Sequence, residues 1–172
     1  RIADAAGIGR GRRRYLRIEI PEKPGSMLAL LQTGLGSLTI IDFQYGKINE
    51  DRAWPVFGVA CNDLEYQALV ARLREAGFRY QEADTDVEVR YRAIPCEGSL
   101  LGHPLFLELD FYERAGALQS FLQGVIQGRA NFCYFNYHYS GERVGRALIG
   151  MEFDRAEGRA ELMASLPTHG EG

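Results

Sequence analysis

A chain of 172 residues, 46% hydrophobic and 25% charged, has material for one ordinary core or two small ones without stapling by disulfides or metals. Its net charge of −3 gives no global field for nucleic acid, and no run reaches the roughly 18 apolar residues of a membrane helix. The three cysteines, Cys61, Cys96 and Cys133, are widely spaced and form no C-x-x-C; they exclude a thiolate zinc site or a disulfide framework and fit a reducing, cytoplasmic setting.

The first residue is Arg1 rather than Met, which suggests a piece of a longer chain, and no signal peptide is visible. Residues 1–14 read as a leader or linker. The basic block Arg10 to Arg14 within it is a solvated segment or, alternatively, an arm that binds a partner. From Tyr15 the pattern turns strand-like: Leu16, Ile18 and Ile20 alternate with Arg17 and Glu19. Pro24, Gly25 and Ser26 then hand the strand over to a helix. Two further strands, "IIDFQY" and "PVFGVAC", flank "KINEDRA". A second helix carries its apolar stripe on Tyr66, Leu69, Val70 and Leu73 and stops at Gly77. A last strand falls within "FRYQEADTDVEVRYRA", and residues 95–103 form a linker.

The order then repeats. "LRIEIPEKPGSMLALL" from Leu16 aligns with "LELDFYERAGALQSFL" from Leu107 at an offset of 91 residues, which puts Glu22 on Glu113 and Gly25 on Gly116. One residue later in register, Phe43-Gln44-Tyr45 falls on Phe135-Asn136-Tyr137 and Gly58 on Gly150. The second helix-start is followed by a stripe of Leu118, Phe121, Leu122, Val125 and Ile126. The predicted fold class is α+β, two tandem ferredoxin-like β-α-β-β-α-β units over 15–94 and 104–172, the second with no obvious final strand.

Little in the chain suggests catalysis. His103, His138 and His169 are scattered, no phosphate-cradling G-x-x-x-x-G-K-[ST] occurs, and no lysine sits in a context suited to pyridoxal phosphate. No cofactor and no metal are expected in this chain. The two strand-to-helix turns are better candidates for binding. At a helix start the first N–H groups lack internal partners and the helix dipole adds partial positive charge, so a carboxylate is stabilised there. The candidate ligand residues are Pro24, Gly25, Ser26 and Met27 in the first copy and Gly116, Ala117 and Leu118 in the second. The aromatic triplets Phe43, Gln44, Tyr45 and Phe135, Asn136, Tyr137 are the other candidates. Each puts Phe and Tyr on one strand face and an amide on the other. They read as core or interface packing, or as a site in which the amide accepts from an ammonium group beside aromatic walls.

The strings "IPEKPGSMLALL", "IIDFQYGK", "VFGVAC", "EVRYRA", "GHPLFLELDFYERAGALQSFL" and "NFCYFNYHYSGERVGRALIGMEF" resemble the carboxy-terminal regulatory region of biosynthetic threonine dehydratase, a tandem of ACT-like subdomains. The resemblance implies that isoleucine binds and inhibits while valine counteracts. It also implies an attached pyridoxal-phosphate domain that deaminates threonine to 2-oxobutanoate, and a homo-oligomer, a tetramer in the family. Ala115 stands where the first copy has Pro24, a departure from the turn pattern. Two other readings use the same residues: an oligomerisation module without an effector site, and an RNA-binding module of the same strand order. The acidic balance and the lack of a K/R-G-F-x-F motif weigh against the last, so neither nucleic acid nor membrane is an expected partner.

Overall fold

The computed structural model describes residues 12–112, 120, 123, 130–139 and 143–166. In the first unit β1 (Arg12–Pro21) leads to α1 (Ser26–Gln32), a 3-10 turn and β2 (Thr39–Gly46). The two-residue β3 (Arg52–Ala53) and β4 (Val56–Cys61) follow, then α2 (Asp63–Glu75) and β5 (Arg79–Glu82). A short α3 (Val87–Arg90) lies in the connection to the second unit, which supplies β6 (Leu105–Tyr112), β7 (Asn131–His138), β8 (Val144–Glu152) and α4 (Ala156–Ser165).

The alternation read in "YLRIEI" puts Leu16, Ile18 and Ile20 at 0–2% exposure against the helices, where they meet Leu30, Leu31, Leu69 and Leu73. Burying a side chain of this size is worth about 1.5–3 kcal/mol. Helix α2 starts on a capping box: Asn62 accepts from the Glu65 N–H, and Glu65 accepts from the Asn62 N–H. It stops where Gly77 turns left-handed. The last strand of the first unit ends at Glu82, and most of "ADTDVEVRYRA" is turn and α3. The segment 12–14, read as leader, is strand. Arg12 to Arg14 pair with Cys61 to Val59 of β4, and Arg14 reaches α2, where it pairs with Asp63 at 2.7 Å and lies over the Tyr66 ring.

The eight strands among the described residues form one sheet. The first unit has the ferredoxin-like order β5-β1-β4-β2, with β3 continuing beside β1. The second runs β7-β8-β6, and β2 pairs antiparallel with β7 to join them. Among the described residues the second unit has three strands; residues 167–172, where a fourth would fall, lie outside them.

The register at the junction follows from the repeat. Gln44 sits opposite Asn136, its own counterpart in the second copy, with Phe43 opposite Tyr137 and Tyr45 opposite Phe135. The two units therefore meet about a local two-fold that passes between the amides. Each unit also carries the same irregularity: β2 shifts register between Ile40 and Asp42, β7 between Phe132 and Tyr134. After each shift the partner is a glycine, Gly58 or Gly150, and a Cβ there would come within 2.7 Å of a neighbouring side chain.

Candidate functional site: the seam between the two units

The β1–α1 turn is built for backbone exposure. Gly25 has φ of +87°, a left-handed value that a side chain disfavours. It precedes a helix start that no side chain caps. The Ser26 N–H donates to the Lys23 carbonyl at 3.3 Å, whereas the Ser26 hydroxyl, in a residue only 8% exposed, has no hydrogen-bond partner. An unpaired buried hydroxyl is an uncommon expense in a folded chain.

The second unit closes the site. Asn131, at the start of β7, donates through Nδ2 to Glu22 Oε1 at 2.6 Å and to Glu152 Oε1 at 2.8 Å. The Tyr45 hydroxyl donates to Glu22 Oε2, and Lys47 Nζ pairs with Glu152 at 2.6 Å. Two carboxylates and one ammonium thus cross the seam directly behind the turn. The free space among Glu22, Gly25, Ser26, Met27, Tyr45 and Asn131 is about 20 Å³, room for about one water.

Burial pushes the Glu22 carboxyl above its ordinary range; the Tyr45 and Asn131 hydrogen bonds and the Lys47 charge oppose the rise without cancelling it. Burial, then the Glu22 carboxylate, raises the Tyr45 phenol as well, and burial pushes the Cys133 thiol up to about 12. A raised carboxyl binds more protons in the folded than in the unfolded chain. Its contribution to stability is full below the unfolded value, about 4.3, and is lost as pH rises through the higher folded value. Glu22→Gln is therefore expected to raise the melting temperature relative to the parent chain as pH rises above about 4.3, which thermal unfolding from acid to neutral pH measures.

The residues expected from sequence divide among three places. Gly25, Ser26, Met27 and Tyr45 come together at the turn pocket. Pro24 is exposed beside it and does not line it. Phe43 and Phe135 are fully buried, stacked ring on ring at 4.1 Å, and Tyr137 is buried on the same face; they join the units as core. The amides Gln44 and Asn136 point to the opposite face of the sheet and are not at the turn. Gln44 Nε2 donates to Asp42 Oδ1 and to the Val89 carbonyl, and Asn136 Oδ1 accepts from Arg92. Gly116, Ala117 and Leu118 lie outside the described residues. Glu22 and Asn131 were not expected in the site. Glu22 carried a signal, its recurrence as Glu113, but Asn131 enters only through the pairing of β2 with β7.

On the opposite face the connection between the units folds back over the sheet. Arg92, itself at φ of +56°, points Nη1 at both carboxylate oxygens of Asp42, at 2.8 and 2.7 Å, and donates through Nε and Nη2 to Asn136 and through Nη2 to the Tyr137 carbonyl. The connection roofs a cleft of about 400 Å³ whose floor includes Arg17, Gln44 and Val56. Among the described residues no cluster of His, Cys, Asp or Glu could hold a metal ion, and no helix is long and apolar enough to cross a membrane.

A ferredoxin-like unit joined strand to strand to a second unit of repeated sequence, with the glycine turn of the first facing the start of a strand in the second, makes a tandem α+β domain. A family model described as the C-terminal regulatory domain of threonine dehydratase matches residues 4–92 and 97–170, and the chain belongs to that family. L-threonine dehydratase biosynthetic IlvA of Haemophilus influenzae is 28% identical over 159 residues, covering 91% of this chain and 31% of that protein. Threonine dehydratase biosynthetic, chloroplastic, of Arabidopsis thaliana is 27% identical over 159 residues, covering 91% of this chain and 26% of its own. The chain thus spans less than a third of the length of these relatives. Among solved structures, the ligand-free regulatory subunit of aspartate kinase from Thermus thermophilus aligns over 88% of both chains with 15% identity and a TM-score of 0.34.

Proposed function

We propose that this domain senses branched-chain amino acids, isoleucine and valine, and controls a threonine-deaminating catalytic domain carried in the same polypeptide or in neighbouring subunits of a homo-oligomer. The observation that carries the reading is the unpartnered Ser26 hydroxyl beside an uncapped helix start. The α-carboxylate of the effector takes the Ser26 hydroxyl and the free N–H groups of Met27 and Leu28; Glu22 faces the ammonium group. In the structure as it stands the pocket is too small for an amino acid, since ligand sites generally need about 300 Å³ or more. Binding therefore parts Gly25–Met27 from Ala130–Phe132, that is, one unit from the other. Occupancy is read out as a change in how the halves meet. One methylene separates isoleucine from valine and by contact alone discriminates by only about 1–3 kcal/mol. Opposite effects then require two arrangements of the seam, each favoured by one ligand.

Pyridoxal phosphate belongs, on this reading, to the catalytic domain. The two lysines here do not suit it: Lys47 is ion-paired with Glu152 and Lys23 is exposed. Calorimetry with isoleucine, valine and threonine tests the reading. Isoleucine is expected to give saturable heat. Ser26→Ala should weaken its binding about tenfold or more, the worth of a hydrogen bond to a charged group. The same substitution should leave the melting temperature level or slightly higher, because the hydroxyl has no partner to lose. The alternative, an assembly module without an effector site, draws on the outer edge of β6, which pairs with no strand among the described residues. A stable oligomer indifferent to all three amino acids would favour it.

A further inference from the structure

The cleft on the far face of the sheet is not part of the seam site, yet it has the size and lining of a ligand pocket. Its volume of about 400 Å³ lies within the usual range for small-molecule sites. The walls are largely apolar: Val56 and Val89 are buried, Trp54 is partly covered, and Ile48 stands 47% exposed for want of anything to cover it. Besides Tyr45, whose hydroxyl is taken by Glu22, three polar residues interrupt this lining, and each has capacity left. Arg17 gives Nη1 to Asp86 at 2.6 Å, one of its five donors. Gln44, only 5% exposed, uses its Nε2 on Asp42 and Val89, while its carbonyl oxygen accepts from none of the described residues. Glu88 has no ion-pair partner among them. One cationic donor and two acceptors of ammonium protons, set in apolar walls, match a zwitterion with an apolar side chain.

We infer that this cleft is a second binding site, for an apolar α-amino acid whose carboxylate meets Arg17, whose ammonium group meets Gln44 and Glu88, and whose side chain packs on Trp54. The cleft shares only Tyr45 with the lining of the seam pocket, and the inference does not depend on the seam reading. Trp54 is the single tryptophan of the chain and lines the cleft but not the seam pocket, so its fluorescence reports a ligand in the cleft. Titrating the 172-residue chain with L-leucine is expected to give a saturable change in Trp54 emission. The analogue 4-methylpentanoate, which lacks the ammonium group, should bind about tenfold or more weakly. Ala93→Phe, at an exposed residue of the roof, should abolish the response, and Glu88→Gln should weaken leucine without weakening 4-methylpentanoate. Ser26→Ala should leave it intact. The inference is overturned if leucine gives no saturable change, if 4-methylpentanoate binds equally well, or if Ser26→Ala abolishes a response that survives Ala93→Phe. Calorimetric heat lost in Ser26→Ala with Trp54 silent would overturn this site and leave the seam reading standing.

Discussion

Replacing Phe43 with alanine is expected to lower unfolding stability by about 3–5 kcal/mol, the range for removing a buried aromatic ring. Phe43 is fully buried and central to a run of rings that crosses the junction. It stacks on Phe135 at 4.1 Å and 17°, tilts against Phe57 at 4.3 Å, and Phe135 in turn meets Phe132 edge-on at 5.7 Å. Offset and edge contacts of this kind contribute beyond area burial, about 0.5–1.5 kcal/mol for each pair. The site cannot collapse easily, because β2 is held by β4 on one side and β7 on the other. Phe43→Leu keeps much of the volume and should cost clearly less. Denaturant unfolding measures both, and a loss under about 1 kcal/mol for the alanine variant would mean that the ring run does not hold the units together.

The second large effect is expected at Arg92. Its guanidinium is the main cationic partner of Asp42, whose side chain is only 4% exposed. Around that carboxylate stand also the Tyr15 hydroxyl at 3.4 Å, Gln44 Nε2 at 3.3 Å and His138 Nδ1 at 3.5 Å, all longer contacts. Arg92→Ala leaves the carboxylate buried with these weak partners and should cost about 3 kcal/mol. In a chain of this length that is a fall of roughly 6–12 °C in melting temperature. Arg92→Lys keeps the charge at Asp42 but loses the donors to Asn136 and the Tyr137 carbonyl, so it should recover only part. The double variant Asp42→Asn with Arg92→Ala should cost less than the sum of the two, since removing the charge removes the reason the guanidinium is needed. Additive losses would show that the two groups act independently.

Much of the architecture could be read from local pattern. The alternation at Leu16, Ile18 and Ile20 put those residues in the core, and Gly25 turned where a strand had to meet a helix. The repeat located the seam indirectly: the triplets were identified as counterparts, and they pair with one another about the local two-fold. What the pattern could not say is which face of each triplet would matter. In isolation Phe43 and Phe135 read as packing or as ligand walls; the junction of the two units needs its apolar face filled, and they fill it. Arg92 was invisible because it lies in a connection with no period, and its role depends on the backbone folding back over β2 and β7. Asn131 was missed for the same reason, since its partner Glu22 is 109 residues away in sequence.

On the proposed function, an amino acid enters at the seam and alters the contact of the two units. Backbone amide NMR of the chain during an isoleucine titration tests it most directly. Saturable shifts are expected at Met27 and Leu28, which receive the carboxylate, together with Asn131 across the seam. Saturating isoleucine that leaves these three amides unmoved would contradict it.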